Sequence, residues 1–252
     1  MADAAGQVPV REAATVVLLR DGSAGLETWL MRRVPKMAFA PGMTVFPGGG
    51  VDPADATGPG SPEVGARLGT TAAHAGVLLR AAVREIAEET GVRLAPEALR
   101  PWARWITPVG ESRRYDTYFF VAALPADALA SAISTEASVA DWAAVTDALA
   151  EYQAGHRPML PPTVHTLREV AVFGSTAEVL AAAADRTIRA ITPVLRPNAA
   201  GVLVADLGDG VELPLPAGFV SATGRKLGPG AGPGPAAGPD PAAGPDALPK
   251  SP

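Results

Sequence analysis

The chain has 252 residues, of which 48% are hydrophobic and only 5% aromatic, so it is long enough to bury a core built mainly from Ala, Val and Leu. It contains no cysteine, which excludes disulfides, thiolate zinc sites and cysteine nucleophiles. Its net charge of −5 and the lack of a basic stripe argue against a nucleic-acid-binding protein.

The N-terminal region predicts neither a signal peptide nor a membrane anchor. It carries Asp3 early and only a short apolar run over residues 13–19, which indicates a first β-strand. No stretch approaches the roughly 20 apolar residues that a membrane-spanning helix needs. The sequence therefore predicts a cytoplasmic protein with no membrane partner.

Hydrophobic periodicity and turn residues divide the chain into short strands and helices. Residues 13–20 and 26–33 are predicted to form a hairpin, and a long loop rich in Gly and Pro is predicted over residues 37–63. A helix over residues 71–90 follows. The remaining predictions are strands at 102–109, 114–123 and 139–143, helices at 145–154, 163–173 and 176–184, and strands at 188–195 and 201–207. This mixture indicates an α/β or α+β fold in one domain.

The composition changes at about residue 224, where Gly, Pro and Ala come to dominate and PAAGPD occurs twice in tandem at 235–246. Such a segment has almost nothing to bury, so we expect a disordered tail over residues 224–252 and a domain over residues 1–223. A proline-rich recognition segment is the alternative for the tail.

The segment AAVREIAEETGV, residues 81–92, places three carboxylates near the end of the predicted helix. Glu85, Glu88 and Glu89 share one helical face at a point where the helix dipole is already negative. Three oxygen donors in this arrangement suit Mg²⁺ or Mn²⁺. The alternative is an ordinary solvated face, and the glycine-rich PGGG at 47–50 favours the site because its backbone can approach the helix closely.

An incomplete carboxylate site indicates a phosphate-bearing substrate, because Mg²⁺ usually fills its octahedron with water and substrate phosphates. Arg84 precedes the first glutamate and is able to fix a carboxylate in a two-pronged pair. Candidates for contacting substrate phosphates are Arg32, Arg33, Lys36, Arg113 and Arg114, although each is also consistent with a solvated surface residue.

Residues 84–92, REIAEETGV, resemble the second half of the Nudix hydrolase box, G-x5-E-x7-R-E-U-x-E-E-x-G-U, in which U is a bulky aliphatic residue. Gly49 fits the leading glycine. The stretch GMTVFPGGGVDPAD at 42–55, the segment from Trp105 to Phe120 with RRYDTYFF, and LPPTVHTL at 160–167 resemble the coenzyme A diphosphatase branch, including its animal peroxisomal and mitochondrial members.

Three features depart from the family pattern. An insertion at about residues 50–70 separates the leading glycine from Arg84. Asp55 stands where the first box glutamate is expected, and Asp52, Asp55 and Glu63 are the candidate substitutes. The upstream Leu-Leu-x-x-Arg element of the coenzyme A branch is matched only in part by Leu-Met-Arg-Arg at residues 30–33.

The resemblance implies a Nudix α/β/α sandwich, with a mixed sheet between helices and with Leu79, Val83 and Ile86 packing the box helix on the sheet. It implies metal ligation by Glu88 and Glu89. Its implications for the catalytic residues are a further ligand or proton acceptor at Glu85 and an orienting Arg84. Gly48 and Gly49 are candidates for binding the substrate through their backbone. Glu136 is a candidate general base, with an ordinary loop residue as the alternative.

The resemblance further implies metal-dependent hydrolysis of a nucleoside diphosphate linked to another moiety, with coenzyme A or an acyl-CoA as the first substrate candidate. Hydrolysis of ADP-ribose or nucleotide sugars and a non-catalytic nucleotide-binding sensor are the alternatives. All three box glutamates are present in the chain, which favours the enzyme. A homodimer is left open.

Overall fold

The computed structural model describes residues 8–36, 40–131, 133, 137–216 and 219. Within these residues, eight strands form one mixed sheet that lies between two groups of helices, and three further strands form a small antiparallel sheet. This arrangement confirms the predicted α/β/α sandwich.

The main sheet combines parallel and antiparallel pairs. Its strand order is β3-β2-β1-β6-β5-β8, with β4 paired to β1 and β7 paired to β2. The pairing is parallel for β1 with β6 and for β5 with β8, and antiparallel elsewhere. The strands are β1 (Val10–Gly22), β2 (Gly25–Arg33), β3 (Thr44–Val45), β4 (Gly48–Gly50), β5 (Arg100–Ile106), β6 (Arg114–Ala123), β7 (Ala137–Ala144) and β8 (Ala190–Ile191).

Helices cover both faces of this sheet. The side chains of β1 therefore point alternately into one of two hydrophobic cores. Val16 and Leu18 point into the core beneath α1 (Pro62–Leu68) and α2 (Ala72–Thr90). Val17 and Leu19 point into the core on the other face. That core is covered by α3 (Val145–Gln153), α4 (Pro161–Val170) and α5 (Thr176–Ala184).

Helix α2 carries the box and has a defined start and end. The Thr71 hydroxyl caps its first turn by accepting a hydrogen bond from the backbone N–H of His74, and Gly91 ends it in the left-handed conformation (φ 73°). Leu79 and Ile86 are buried against the sheet, and Val83 packs beside them, as predicted.

The prediction of one continuous loop over residues 37–63 is wrong, because this segment forms regular elements from Thr44 onward. It contains β3, β4, a 3₁₀ turn at Pro53–Ala56 and the start of α1. The strand β4 consists of three glycines, which carry no side-chain pattern, and its pairing is set by the backbone of β1. Within the insertion, Val64 and Leu68 of α1 are buried in the core beneath α2.

The predicted strand at 188–195 is also wrong, since the chain divides it between two sheets. Ala190 and Ile191 pair with β5, whereas the small sheet consists of β9 (Val194–Pro197), β10 (Leu203–Asp206) and β11 (Glu212–Pro214). The helix predicted at 163–173 begins two residues earlier and ends at Val170. The tail predicted at 224–252 lies outside the described residues.

None of the described helices combines the length and apolar character that crossing a membrane requires.

Candidate metal centre

The glycines of β4 bring the loop backbone directly against α2. Gly48 and Gly49 pair with Thr15 and Ala14 of β1. A Cβ atom on Gly48 would lie 2.4 Å from the carbonyl oxygen of Ala14, and a Cβ atom on Gly49 would lie 2.5 Å from the carboxylate carbon of Glu85. Glycine is therefore required at position 48, where a Cβ atom would meet backbone atoms of β1, whereas at position 49 a Cβ atom would displace the Glu85 side chain.

Glu89 is the most buried of the three box glutamates, with 6% of the residue exposed. Its Oε2 accepts a hydrogen bond of 2.8 Å from the backbone N–H of Gly48. The side chain of Glu85 is 14% exposed, and that of Glu88 is 60% exposed. Of the three box glutamates, only Glu88 is exposed as an ordinary surface residue would be. The carboxylates of Glu85 and Glu89 lie between α2 and β4.

Arg84 connects the helix to the inserted segment. Its Nε and Nη2 donate to the two carboxylate oxygens of Asp55 at 3.2 and 2.9 Å, and Nη2 also donates to the carbonyl of Gly50 at 2.9 Å. Its Nη1 donates to Glu85 Oε1 at 2.7 Å and to Glu88 Oε2 at 3.4 Å. Hydrogen bonds to Asp55 and Glu85 raise the pKa of Arg84 despite its partial burial, so the guanidinium stays charged.

Asp55 is the acidic residue that meets Arg84, at the position of the missing box glutamate. It lies in the 3₁₀ turn, where its Oδ2 also accepts a hydrogen bond of 2.8 Å from the backbone N–H of Asp52. Burial raises the pKa of Asp55, but the hydrogen bonds from Arg84 and from the Asp52 backbone outweigh it and hold that pKa below its usual value. Glu63, another candidate substitute, is exposed on α1.

Arg80 adds a second connection between α2 and the insertion, one helical turn before Arg84. Its Nε donates to the Asp55 carbonyl at 2.7 Å, and its Nη1 donates to the Pro59 carbonyl at 2.6 Å. Sequence reasoning missed this residue, although the i, i+4 spacing from Arg84 places the two guanidinium groups on one face. The insertion is thus fixed to the box helix by two arginines.

The three box glutamates supply donor atoms of the kind that a hard cation prefers. Glu85, Glu88 and Glu89 offer only oxygen atoms, from two adjacent turns of one helix. Among the residues that the structure describes, no group of three or more acidic or histidine side chains is arranged so that it could hold a metal ion by itself. Mg²⁺ usually binds through only one or two protein carboxylates, because water and substrate phosphates complete its coordination.

The arginines predicted to contact phosphate lie toward the same end of the main sheet, because β2 runs antiparallel to β1 whereas β6 runs parallel to it. Arg32 and Arg33 end β2, and Arg113 and Arg114 start β6. Arg32 is exposed and its Nε donates to the Gly42 carbonyl at 3.3 Å. Lys36 is exposed beyond β2.

Arg114 and Arg113 differ in their surroundings. Arg114 is buried, and its Nε donates to the carbonyls of Thr107 and Pro108, each at 3.1 Å, which fixes it in the turn between β5 and β6. Arg113 is exposed.

The segment after β6 contacts the C-terminal end of α2, which the sequence did not predict. The backbone N–H of Ser131 donates to the Thr90 carbonyl at 3.0 Å, and that of Ile133 donates to the Glu89 carbonyl at 3.4 Å. Glu136, the candidate general base, lies outside the described residues.

A family model described as NUDIX domain matches residues 9–162, which is more than half of the chain. The chain belongs to the Nudix hydrolase family. The matched region begins just before β1, includes the insertion and the box helix, and ends at the start of α4.

Individual Nudix proteins resemble parts of the chain. This chain is 38% identical over 69 residues to the acyl-coenzyme A diphosphatase NUDT19 of Xenopus laevis. The match covers 26% of this chain and 18% of that relative. A NUDIX hydrolase from Alicyclobacillus acidocaldarius is 26% identical, with a TM-score of 0.58 over 69% of this chain and 96% of that structure. An Ap4A hydrolase of C. elegans is 19% identical, with a TM-score of 0.43 over 65% of this chain and 97% of its own.

Proposed function

We propose that this protein hydrolyses the diphosphate bond of coenzyme A or an acyl-CoA with the help of Mg²⁺ or Mn²⁺. The observation that carries the proposal is the contact of Glu85 and Glu89 with the Gly48–Gly49 backbone, which holds these two box glutamates beside strand β4. The local identity to an acyl-coenzyme A diphosphatase supports the choice of substrate.

Glu85, Glu88 and Glu89 are the residues that would hold the cation. When bound, a divalent cation neutralises charge on the diphosphate and lowers the pKa of an attacking water. Arg84 orients one of these carboxylates. It donates hydrogen bonds to both Asp55 and Glu85, and this fixes the direction of the Glu85 side chain. A fixed carboxylate costs less reorganisation when the substrate binds.

The reaction adds one water across the P–O–P bond. One phosphate leaves with the adenosine part as 3′,5′-ADP, and the other leaves with the pantetheine arm as 4′-phosphopantetheine or its acyl thioester. Arg32 and Arg33 at the end of β2 are the proposed contacts for the diphosphate oxygens, because arginine binds phosphate through two parallel hydrogen bonds.

An activity screen tests this proposal. Coenzyme A, acetyl-CoA, ADP-ribose, a nucleotide sugar and NADH are incubated separately with the full chain, with Mg²⁺, Mn²⁺ or a chelator. We expect cleavage of the two CoA compounds with metal and none with the chelator. Preferential cleavage of ADP-ribose or the nucleotide sugar would contradict the substrate, and binding of nucleotides without any cleavage would indicate a sensor.

A further inference from the structure

Residues 157–160, between α3 and α4, contact the stretch of chain that leads to the glycines of β4. The Pro158 carbonyl accepts a hydrogen bond of 2.7 Å from the backbone N–H of Thr44, and Met159 forms a parallel bridge with the same residue. Met159 is fully buried, in the core that also contains Phe46. The motif LPPTVHTL, which has no role in the reaction described above, begins directly after Met159.

The stretch of chain that connects Thr44 to the box helix is short and firmly held. Gly48 follows Thr44 by four residues, and its backbone N–H donates to Glu89 Oε2. Between them Phe46 is buried, and the Pro47 carbonyl accepts a hydrogen bond of 2.9 Å from the backbone of β1. The proline ring also fixes φ at residue 47. A displacement of Thr44 would therefore reach Gly48, because the residues between them have little freedom to absorb it.

Arg157 fixes the other end of this connection. Its Nη1 and Nη2 donate to the two carboxylate oxygens of Asp141 in β7, at 3.1 and 2.9 Å, and its Nε donates to Glu151 in α3. The side chain is 17% exposed. The hydrogen bond to Asp141 raises the pKa of Arg157 by more than burial lowers it, so the guanidinium stays charged. Since Pro158 is the next residue, these ion pairs determine where its carbonyl lies.

We infer that Arg157 is a positioning residue for the box site. It acts on the orientation of Glu89 through the series of contacts that runs from Pro158 to Gly48. The inference rests on the proposed function in one respect, because it takes Glu89 as a ligand of the cation. Replacing a residue that orients a metal ligand typically changes metal affinity or turnover by roughly 10- to 100-fold. We expect an effect at the lower end of this range, because Arg157 acts through several residues.

Arg157→Gln tests the inference, and Arg196→Gln is its matched control. Arg196 also binds two carboxylates, those of Asp206 and Glu212, but it lies in the small sheet, which is separate from the sheet that contains β3 and β4. Calorimetric titration of the full chain with MnCl₂ measures the affinity for the cation. We expect Arg157→Gln to weaken Mn²⁺ binding by about tenfold and Arg196→Gln to leave it unchanged.

Amide hydrogen exchange at Gly48 is a second measurement, and it requires no metal. The Glu89 carboxylate protects this N–H in the wild type. We expect its exchange to accelerate by about tenfold or more in Arg157→Gln. Val121, which is fully buried in β6 between β1 and β5, reports unfolding of the whole domain and should keep its rate. A merely structural role of Arg157 would accelerate exchange at both amides together.

An unchanged Mn²⁺ affinity in Arg157→Gln, an equal loss of affinity in Arg196→Gln, or equal acceleration of exchange at Gly48 and Val121 would overturn the inference. A wild-type protein that binds no Mn²⁺ would refute the role proposed for Glu89, and the exchange at Gly48 would then decide the positioning role by itself. Neither measurement requires turnover. Cleavage of another dinucleotide in place of coenzyme A would therefore refute the proposed substrate and leave the positioning role of Arg157 intact.

Discussion

Arg84 binds Asp55 through two hydrogen bonds, across 29 residues of chain, and thereby joins the box helix to the segment inserted before it. The carboxylate of Asp55 is buried, with 5% of its side chain exposed. The same guanidinium reaches Glu85. The pair therefore links the folding of the insertion to the orientation of a proposed metal ligand.

Replacing Asp55 by Asn should weaken both the fold and the reaction. The substitution keeps the size of the side chain but removes the most buried of the carboxylates that Arg84 contacts. We expect the free energy of unfolding to fall by about 2 kcal/mol, below the usual cost of breaking a fully buried pair because Arg84 is partly exposed. Urea unfolding measures this, and turnover should fall as well. The control is Glu63→Gln, which removes an exposed carboxylate of the same insertion and should change neither quantity.

The Asp55–Arg84 pair also predicts how stability depends on pH. In the unfolded chain Asp55 titrates near 3.8, and in the folded protein its pKa lies lower. The unfolded state therefore binds more protons as the pH falls below 3.8, and the stabilisation from Asp55 is lost there. We expect the stability difference between wild type and Asp55→Asn to be constant from about pH 7 to about pH 5 and to shrink toward about pH 3. A difference that grows in acid would contradict this sign.

Gly49→Ala should disturb the site with little effect on the fold. The added Cβ would lie within 2.6 Å of both Glu85 carboxylate oxygens and would displace that side chain from Arg84. A displacement of about 1 Å can reduce turnover by roughly 100-fold. The matched control is Gly50→Ala in the same strand, where the nearest atom is the Glu12 carbonyl oxygen at 3.9 Å. Steady-state kinetics should separate the two variants, and equal activity in both would refute the contact.

Glu88→Gln should remove activity and leave the protein folded. Glu88 is the exposed member of the box, so its replacement opens no cavity. The loss of its contact with Arg84 and the relief of repulsion from its neighbours oppose each other, and we expect the unfolding free energy without metal to change by less than about 0.5 kcal/mol. Turnover should fall by about 100-fold or more. Wild-type turnover with Mg²⁺ or Mn²⁺ would exclude Glu88 from the metal site.

Removal of residues 224–252 should change neither stability nor activity. The composition of this segment offers almost no apolar surface for a core. We expect the melting temperature and the rate of CoA hydrolysis of the truncated protein to match those of the full chain. A marked decrease in either would show that the segment docks on the domain.

The sequence predicted those elements whose signals are local. The periodicity and Gly91 defined the end of α2, and the hydrophobic pattern placed β6 and α5 at the residues where they are found. Elements that depend on distant partners were missed. The glycines of β4 form a strand only because β1 offers its backbone, and the strand predicted at 188–195 is divided because Ala190–Ile191 pairs with β5 whereas Val194–Pro197 pairs with β10.

In the candidate site, too, the sequence predicted the local arrangement and not the contacts between distant parts of the chain. The spacing of the box predicted that Glu85, Glu88 and Glu89 lie close together, but it did not predict that Glu89 is buried against Gly48. The role of Asp55 was open because 29 residues separate it from Arg84, and their contact depends on how the insertion folds back on α2.

The most direct test of the proposed function is to identify the bond that is broken in coenzyme A. The full chain is incubated with coenzyme A and Mg²⁺ or Mn²⁺, and the products are separated by chromatography and identified by mass spectrometry, with Glu88→Gln as the control. The proposal predicts equal amounts of 3′,5′-ADP and 4′-phosphopantetheine from the wild type and almost none from the variant. Intact coenzyme A in the presence of wild-type protein that cleaves ADP-ribose or NADH would contradict it.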